Sequence, residues 1–287
     1  MNRVRKAVFP AAGLGTRFLP VTKAQPKEML PLVDKPIIQY SVEEAVGAGL
    51  KHIVLVTAQG KRAIEDYFDR SFELEHVLKQ RGETALWEQV RRLSNMADIV
   101  YVRQKEQRGL GHAVLVTQAV VGEEPFALFL PDDVFVGNGP VIRQLMDVHE
   151  ELGGCVLAVE KVKREEVGRY GIIAPKQIGP RLYEVLDLVE KPSPQQAPSE
   201  LAIVGRYVLE PRIFAALKAT RPGSGKEIQL TDGLRRLLAR GKIYAVEYEG
   251  VRYDAGTPLS WLKATVALAL EHPELGADLR EYLRTLL

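Results

Sequence analysis

Hydrophobic positions fall in short, nearly unbroken runs, each followed by a stretch whose apolar residues recur every three or four places. The runs AVFP (7–10), HIVLVT (52–57), IVYVR (99–103) and FALFLPDD (126–133) read as strands. Between them lie IIQYSVEEAVG (37–47), KRAIEDYF (61–68), a longer helical region over 73–94 broken near Gly82, LGHAVLVTQAV (110–120) and VIRQLMDVHEEL (141–152). A strand apolar along its whole length is buried on both faces. Strands of this kind alternating with helices predict an α/β fold, a parallel sheet with helices on each side.

The pattern changes after about residue 150. CVLAVEKV (155–162), YGIIAP (170–175), LYEVLDLVEKP (182–192) and ELAIVGRYVLE (200–210) read as strands with fewer helices between them. They are expected to continue the same sheet and cover one end of it. QLTDGLRRLLARG (229–241) predicts a helix capped by Thr231 or Asp232 and stopped at Gly241. PLSWLKATVALALEH and ELGADLREYLRTLL are closing helices. PSPQQAPSE (192–200) is a loop rather than a boundary, so the whole chain reads as a single domain.

The chain has 287 residues, 46% hydrophobic and 26% charged, ordinary for a globular protein with a real core. A net charge of +2 argues against a broad nucleic-acid surface but allows a local site for a small polyanion. The single cysteine, Cys155, sits in an apolar run and reads as a buried structural thiol. One cysteine excludes a Cys-rich zinc site, and the five histidines show no ligand spacing. MNRVRKAVFPAAG lacks the apolar stretch of a signal peptide, and no apolar run reaches membrane-spanning length. The expectation is a cytoplasmic protein with no membrane and no nucleic-acid partner.

The chemistry concentrates in AAGLGTRFLPVTKAQPKEMLP, residues 11–31, directly after the first strand. Ligands of open α/β sheets sit at the carboxyl ends of strands. Glycines at 13 and 15 let backbone N–H groups approach phosphate oxygens. The dinucleotide fingerprint fails because Phe18 stands where its third glycine belongs. The GSGKE segment at 223–227 fails as a P-loop because Glu227 replaces Ser or Thr. What remains is a stiff loop, with prolines at 20, 26 and 31, that fixes Arg17 and Lys27 beside a phosphate site. Fixed cations offset the repulsion between a nucleoside triphosphate, with about four negative charges, and a second phosphate. Asp132 and Asp133 end a strand facing this loop, and a carboxylate there suits Mg2+.

The segment GLGTRFLPVTKAQPKEMLPLVDKPIIQY closely resembles the signature of the sugar-nucleotide pyrophosphorylases. The resemblance continues, in the family's order, at GLGHA (109–113), LPDD (130–133), YGI (170–172), EKP (190–192), AIVGRYVL (202–209) and EIQLTD (227–232). It implies a Rossmann-like, glycosyltransferase-A-like nucleotidyltransferase fold with a mixed, mainly parallel sheet and a β-rich sugar-binding extension. On that reading residues 1–150 form the nucleotide-binding half, 151–257 the sugar-binding half and 258–287 the C-terminal helices. The implied reaction transfers a uridylyl group from UTP to glucose 1-phosphate, giving UDP-glucose and pyrophosphate. The resemblance assigns Arg17 and Lys27 to the triphosphate, and Ala12, Gly13, Gly15, Glu28, Gln104 and Gly109 to the nucleotide. It assigns Lys191 to the sugar phosphate, and Glu190, Gly171, Ile203 and Val204 to the sugar. Asp132, with Asp254 as a second ligand, would hold Mg2+.

Three alternatives stay open at this point. A sister enzyme using dTTP is one, since YDAGTPLSW carries the GTP form often found in such relatives. A catalytically inactive nucleotide-sugar sensor would be expected to lose Arg17, Lys27, Asp132 or Lys191, and all are present. Phe18 already argues against an NAD-dependent dehydrogenase. Leu279, Tyr282, Leu283 and Leu286 on the last helix either offer a partner surface or pack on their own domain, and a homo-oligomer, dimer or tetramer, is expected.

Overall fold

A computed structural model describes residues 3–223 and 226–286. The strands are β1 (Lys6–Pro10), β2 (Pro31–Leu32), β3 (Lys35–Pro36), β4 (His52–Thr57), β5 (Asp98–Arg103), β6 (Phe126–Phe129), β7 (Asp133–Val136), β8 (Cys155–Lys161), β9 (Gly171–Gly179), β10 (Leu182–Glu190), β11 (Leu201–Leu209), β12 (Ile243–Glu247) and β13 (Val251–Asp254). The α-helices are α1 (Ile37–Gly47), α2 (Arg62–Phe68), α3 (Phe72–Gln80), α4 (Thr84–Ser94), α5 (Leu110–Leu115), α6 (Gln118–Val121), α7 (Val141–Leu152), α8 (Arg212–Ala219), α9 (Leu230–Leu238), α10 (Pro258–Glu271) and α11 (Gly276–Leu286).

Nine strands make one sheet in the order β5-β4-β1-β6-β11-β8-β12-β10-β9. Its first four strands are parallel. Beyond them β11 runs antiparallel to both β6 and β8, and β10 antiparallel to β12 and β9; β8 and β12 are parallel. The second half therefore does extend the first half's sheet, and its hairpins account for the scarcity of helices there.

Alternation along the strands builds two cores. Val8, Phe126, Leu128, Cys155 and Leu157 point to one face, under α5, α8 and α9. Ala7, Phe9, Ala127, Phe129 and Val156 point to the other, under α1, α2 and α7. Both faces are covered, which is why the strands read as continuous apolar runs. Cys155 is fully buried, and burial pushes its thiol up to about 12, so it is inert as a nucleophile.

A smaller cluster positions the site. Phe18, Leu30, Leu32 and Ile37 pack with Val134, Ala255 and Ala264 of α10. Trp261 Nε1 donates to the Pro31 carbonyl at 3.1 Å. The signature loop is thus pinned between the sheet and a C-terminal helix.

Some boundaries differ from expectation. LGHAVLVTQAV breaks into α5 and α6 at Val116–Thr117. FALFLPDD turns a corner after Phe129, and Asp133 starts β7, which pairs with β13. Thr231 and Asp232 do not cap α9; Gln229 is the capping position, without a side-chain bond, and both lie in the first turn. The α8 helix, RIFAALKA, was not anticipated.

Candidate active site

The signature loop follows β1 as three short 3-10 turns, Thr16–Phe18, Val21–Lys23 and Lys27–Met29. Gly15 has φ +66°, in the left-handed region, and its carbonyl accepts from Thr22 Oγ1 at 2.8 Å. A Cβ at Gly15 would lie 3.1 Å from Thr22 Cγ2. Gly13 is the opposite case: nothing lies within 4 Å of where its Cβ would be, and it faces open cleft. Backbone there is free to approach a phosphate. Phe18, the residue that breaks the dinucleotide fingerprint, is a buried anchor of the loop.

Across the cleft, Lys27 Nζ meets Asp132 Oδ2 at 2.7 Å. Burial pushes the Asp132 carboxyl up, but the charge and hydrogen bond of Lys27, aided by Arg17, hold it below the usual aspartate range. Burial lowers Lys27, but Asp132 and Glu28 outweigh it and raise the ammonium above its ordinary value. Both groups are therefore charged near neutral pH.

Asp133, next in the chain, does something else. Its Oδ2 accepts from Gly205 N at 3.0 Å, and its Oδ1 pairs with Arg252. Burial is the largest effect on this carboxyl and pushes it up, against the opposing charge of Arg252. A Cβ on Gly205 would stand 2.5 Å from Asp133 Oδ2, so glycine is what lets the carboxylate in. Beneath the corner lies Arg206, fully buried between the rings of Phe129 and Phe135, at 4.7 and 4.6 Å. It donates to the carbonyls of Leu130 (3.2 Å) and Asp133 (3.0 Å) and pairs with Glu44 at 2.7 Å. These bonds fix the turn that presents Asp132.

Two cavities meet at this point, of 570 Å³ and 480 Å³. Gly13, Gly15, Lys27 and Asp132 line both. Ala12, Glu28, Gln104 and Gly109 line the smaller one. Arg17, Gly171, Glu190, Lys191 and Ile203 line the larger. Lys191 adopts φ +46° just past the end of β10, so neighbouring Glu190 and Lys191 both face the same cleft, as Pro192 after them suggested. Val204 is buried in β11, opposite Ala158, and lies on the wall of neither cavity. Asp254 also lies off both walls; its Oδ1 accepts from Gly256 N at 2.7 Å and its Oδ2 from Arg169 at 3.2 Å. Yet Asp254 Oδ1, Asp132 Oδ2 and Arg17 Nη1 all converge on the space beside Gly256, within 2.8, 3.3 and 3.6 Å of its Cβ position.

Several functional-looking residues escaped the sequence reading. Lys61, after β4, forms a buried pair with Glu28 at 2.7 Å. Gln107 Nε2 holds the Ala12 carbonyl at 2.7 Å. Arg169 and Glu227 line the larger cleft. His112, given no role, bonds Gln104 through Nδ1 at 3.0 Å and so orients that amide. For Lys61 and Gln107 the partners, Glu28 and Ala12, are 33 and 95 positions away and no motif links them. The GTP departure has a local explanation. Thr257 caps α10, its side chain accepting from Ser260 N, and Pro258 occupies the first turn.

A glycine loop at the end of β1, opposed by a strand-corner aspartate across a cleft of two compartments, fits a nucleotidyl-transferring site. The match of residues 6–271 to the nucleotidyl transferase model agrees, and the chain belongs to that family. Among curated relatives it is similar to UTP–glucose-1-phosphate uridylyltransferase of Staphylococcus epidermidis, 50% identical over 286 residues, covering 100% of this chain and 99% of that one. It is also similar to UTP–glucose-1-phosphate uridylyltransferase YngB of Bacillus subtilis, 52% identical over 282 residues, 98% of this chain and 95% of that one. Among solved structures it superposes on a UTP-bound UDP-glucose pyrophosphorylase of Acinetobacter baumannii with TM-score 0.90 and 39% identity, over 99% of this chain and 100% of that one. No helix among the described residues is long and apolar enough to cross a membrane.

Proposed function

We propose that this chain transfers the uridylyl group of UTP to glucose 1-phosphate, giving UDP-glucose and pyrophosphate. The observation that carries the reading is the meeting of two cavities at the Gly13 loop and the Lys27–Asp132 pair. A nucleotide needs one compartment for its base and a second substrate needs the other, with the α-phosphate between them. Relatives about half identical over the whole chain support this choice of substrates.

A sugar-phosphate oxygen attacks the α-phosphorus in line, and pyrophosphate leaves. The nucleophile is already ionised, so no general base is needed, and positioning with charge stabilisation does the work. In this reading Arg17 and Lys27 bind the triphosphate, chiefly the departing part. Gly13 and Gly15 give backbone N–H groups to it. Ala12, Glu28, Gln104 and Gly109 hold the base. Lys191 places the sugar phosphate, while Glu190, Gly171 and the backbone at Ile203 and Val204 contact glucose. Hard carboxylate oxygens of Asp132 and Asp254, aimed at one space beside Gly256, fit Mg2+, which would neutralise phosphate charge there. We further propose a cytoplasmic homo-oligomer, dimer or tetramer, acting on these small molecules alone.

The test is pyrophosphate release from glucose 1-phosphate with UTP, dTTP, CTP, GTP and ATP supplied separately. UTP is expected to be preferred; preference for dTTP would replace this reading by that of a thymidylyl-transferring sister. Lys191→Ala is expected to raise KM for glucose 1-phosphate by about tenfold or more, the loss of a bond to a charged group, with KM for UTP little changed. Unchanged glucose 1-phosphate kinetics would remove Lys191 from its role.

A further inference from the structure

A nucleotide reaching from the smaller cavity to Asp132 must carry its ribose past the wall the two cavities share. Four polar side chains stand on that wall: Thr16, Lys27, Asp132 and Glu227. Lys27 and Asp132 engage one another and face the phosphates. That leaves Thr16, on the phosphate loop, and Glu227, which comes from the other side, next to the base pocket.

Glu227 is held there by backbone. Ile228 N donates to the Arg108 carbonyl and Gly111 N to the Ile228 carbonyl, each at 2.8 Å. The clasp is tight because Gly109 and Gly111 have no side chains: a Cβ on Gly109 would lie 2.8 Å from Glu227 Cβ, and one on Gly111 2.7 Å from the Ile228 carbonyl. The carboxylate is exposed, and Gln229 Nε2 orients its Oε2 at 3.0 Å. A carboxylate is a poor neighbour for phosphate and a good one for a diol, since its oxygens accept several hydrogen bonds and donate none.

We infer that Glu227 reads the ribose, accepting hydrogen bonds from its hydroxyls, the 2′-hydroxyl included, and so makes the enzyme select ribonucleotides over deoxyribonucleotides. This rests on the use of UTP proposed above. It also supplies what the base pocket lacks. Uracil and thymine differ by one methyl, a weak handle, whereas a site built to bond a hydroxyl strongly rejects the analogue without it. The GTP segment at the start of α10 then need not carry the choice between UTP and dTTP.

The experiment compares kcat/KM for UTP and dUTP in the wild type, Glu227→Ala and Glu227→Gln, with melting temperatures measured alongside. Wild type is expected to prefer UTP by about tenfold or more. Glu227→Ala is expected to shrink the UTP/dUTP ratio at least about fivefold, mainly through KM for UTP, with KM for glucose 1-phosphate unmoved. Glu227→Gln, which keeps one acceptor oxygen, falls between. Equal losses for both nucleotides, or a wild type indifferent to the 2′-hydroxyl, would overturn the inference and leave the reaction assignment intact. A wild type releasing no pyrophosphate from UTP would overturn the assignment and the inference with it.

Discussion

Lys27 and Asp132 stand 2.7 Å apart with their titrations pushed in opposite directions. The aspartate is held below 3.8 and the lysine above 10.5. Any stability the pair contributes is therefore complete between those values. It is lost as pH falls through the lowered Asp132 value or rises through the raised Lys27 value. The same reasoning reaches catalysis: neither group changes charge near neutrality. With substrate phosphates fully ionised, log kcat/KM is expected to be flat between about pH 7.5 and 9.5. A basic limb inside that window that disappears in Lys27→Arg would show that the amine titrates there. Single residues were partly legible. Gly13, Gly15, Arg17 and Lys27 share the loop after β1 and Asp132 follows the end of β6, and the structure brings all five to one cleft. That the Ile203 side chain lines the cleft while the Val204 side chain is buried away from it could not be read from sequence, because a strand's two faces cannot be told apart when both are apolar.

At the scale of elements, the corner from β6 to β7 is the feature that turns a sheet into a site. It presents Asp132 to the cleft and sends Asp133 inward to Arg252 and Gly205. Arg206 on β11 braces it from below, against Glu44 on α1. Arg206→Ala would leave Glu44 buried without its partner. That costs about 3–5 kcal/mol, enough to lower a urea midpoint sharply, and Glu44→Gln, which keeps the shape but leaves the fully buried Arg206 without its counter-charge, should cost a comparable amount. Equal, small effects for both would mean the pair is not a brace. None of this could be read from sequence. Helix lengths and strand runs show in the periodicity, and α1, β4 and α7 fall where the pattern put them. A charge, by contrast, shows in sequence without its partner: Glu44 and Arg206 are separated by 162 positions. The cap of α9 was misread as well, since Thr231 and Asp232 fit a capping pattern but the helix starts earlier, at Leu230, with Gln229 in the capping position.

For the whole molecule, strand order decides what can fold alone. β11, from the second half, lies between β6 and β8, bonded to each. Both cores draw side chains from either side of residue 150: Val8 and Phe126 pack with Leu157 and Phe214, and Phe9 and Ile38 with Val156 and Val208. The two halves on either side of residue 150 are not separate folding units. Residues 1–150 expressed alone would leave β6 an unpaired edge, uncover Phe126 and Phe129, and strand Glu44 without Arg206. That fragment is expected to show no cooperative melt, while the full chain unfolds in a single transition by both circular dichroism and intrinsic fluorescence. Because the cleft proposed for the substrates is lined from both halves, UTP at about a hundred times its Kd should shift that one transition upward, by roughly 2.7 kcal/mol, without splitting it. Two resolved transitions, or a ligand shift confined to one of them, would mean that the halves unfold independently despite sharing a sheet.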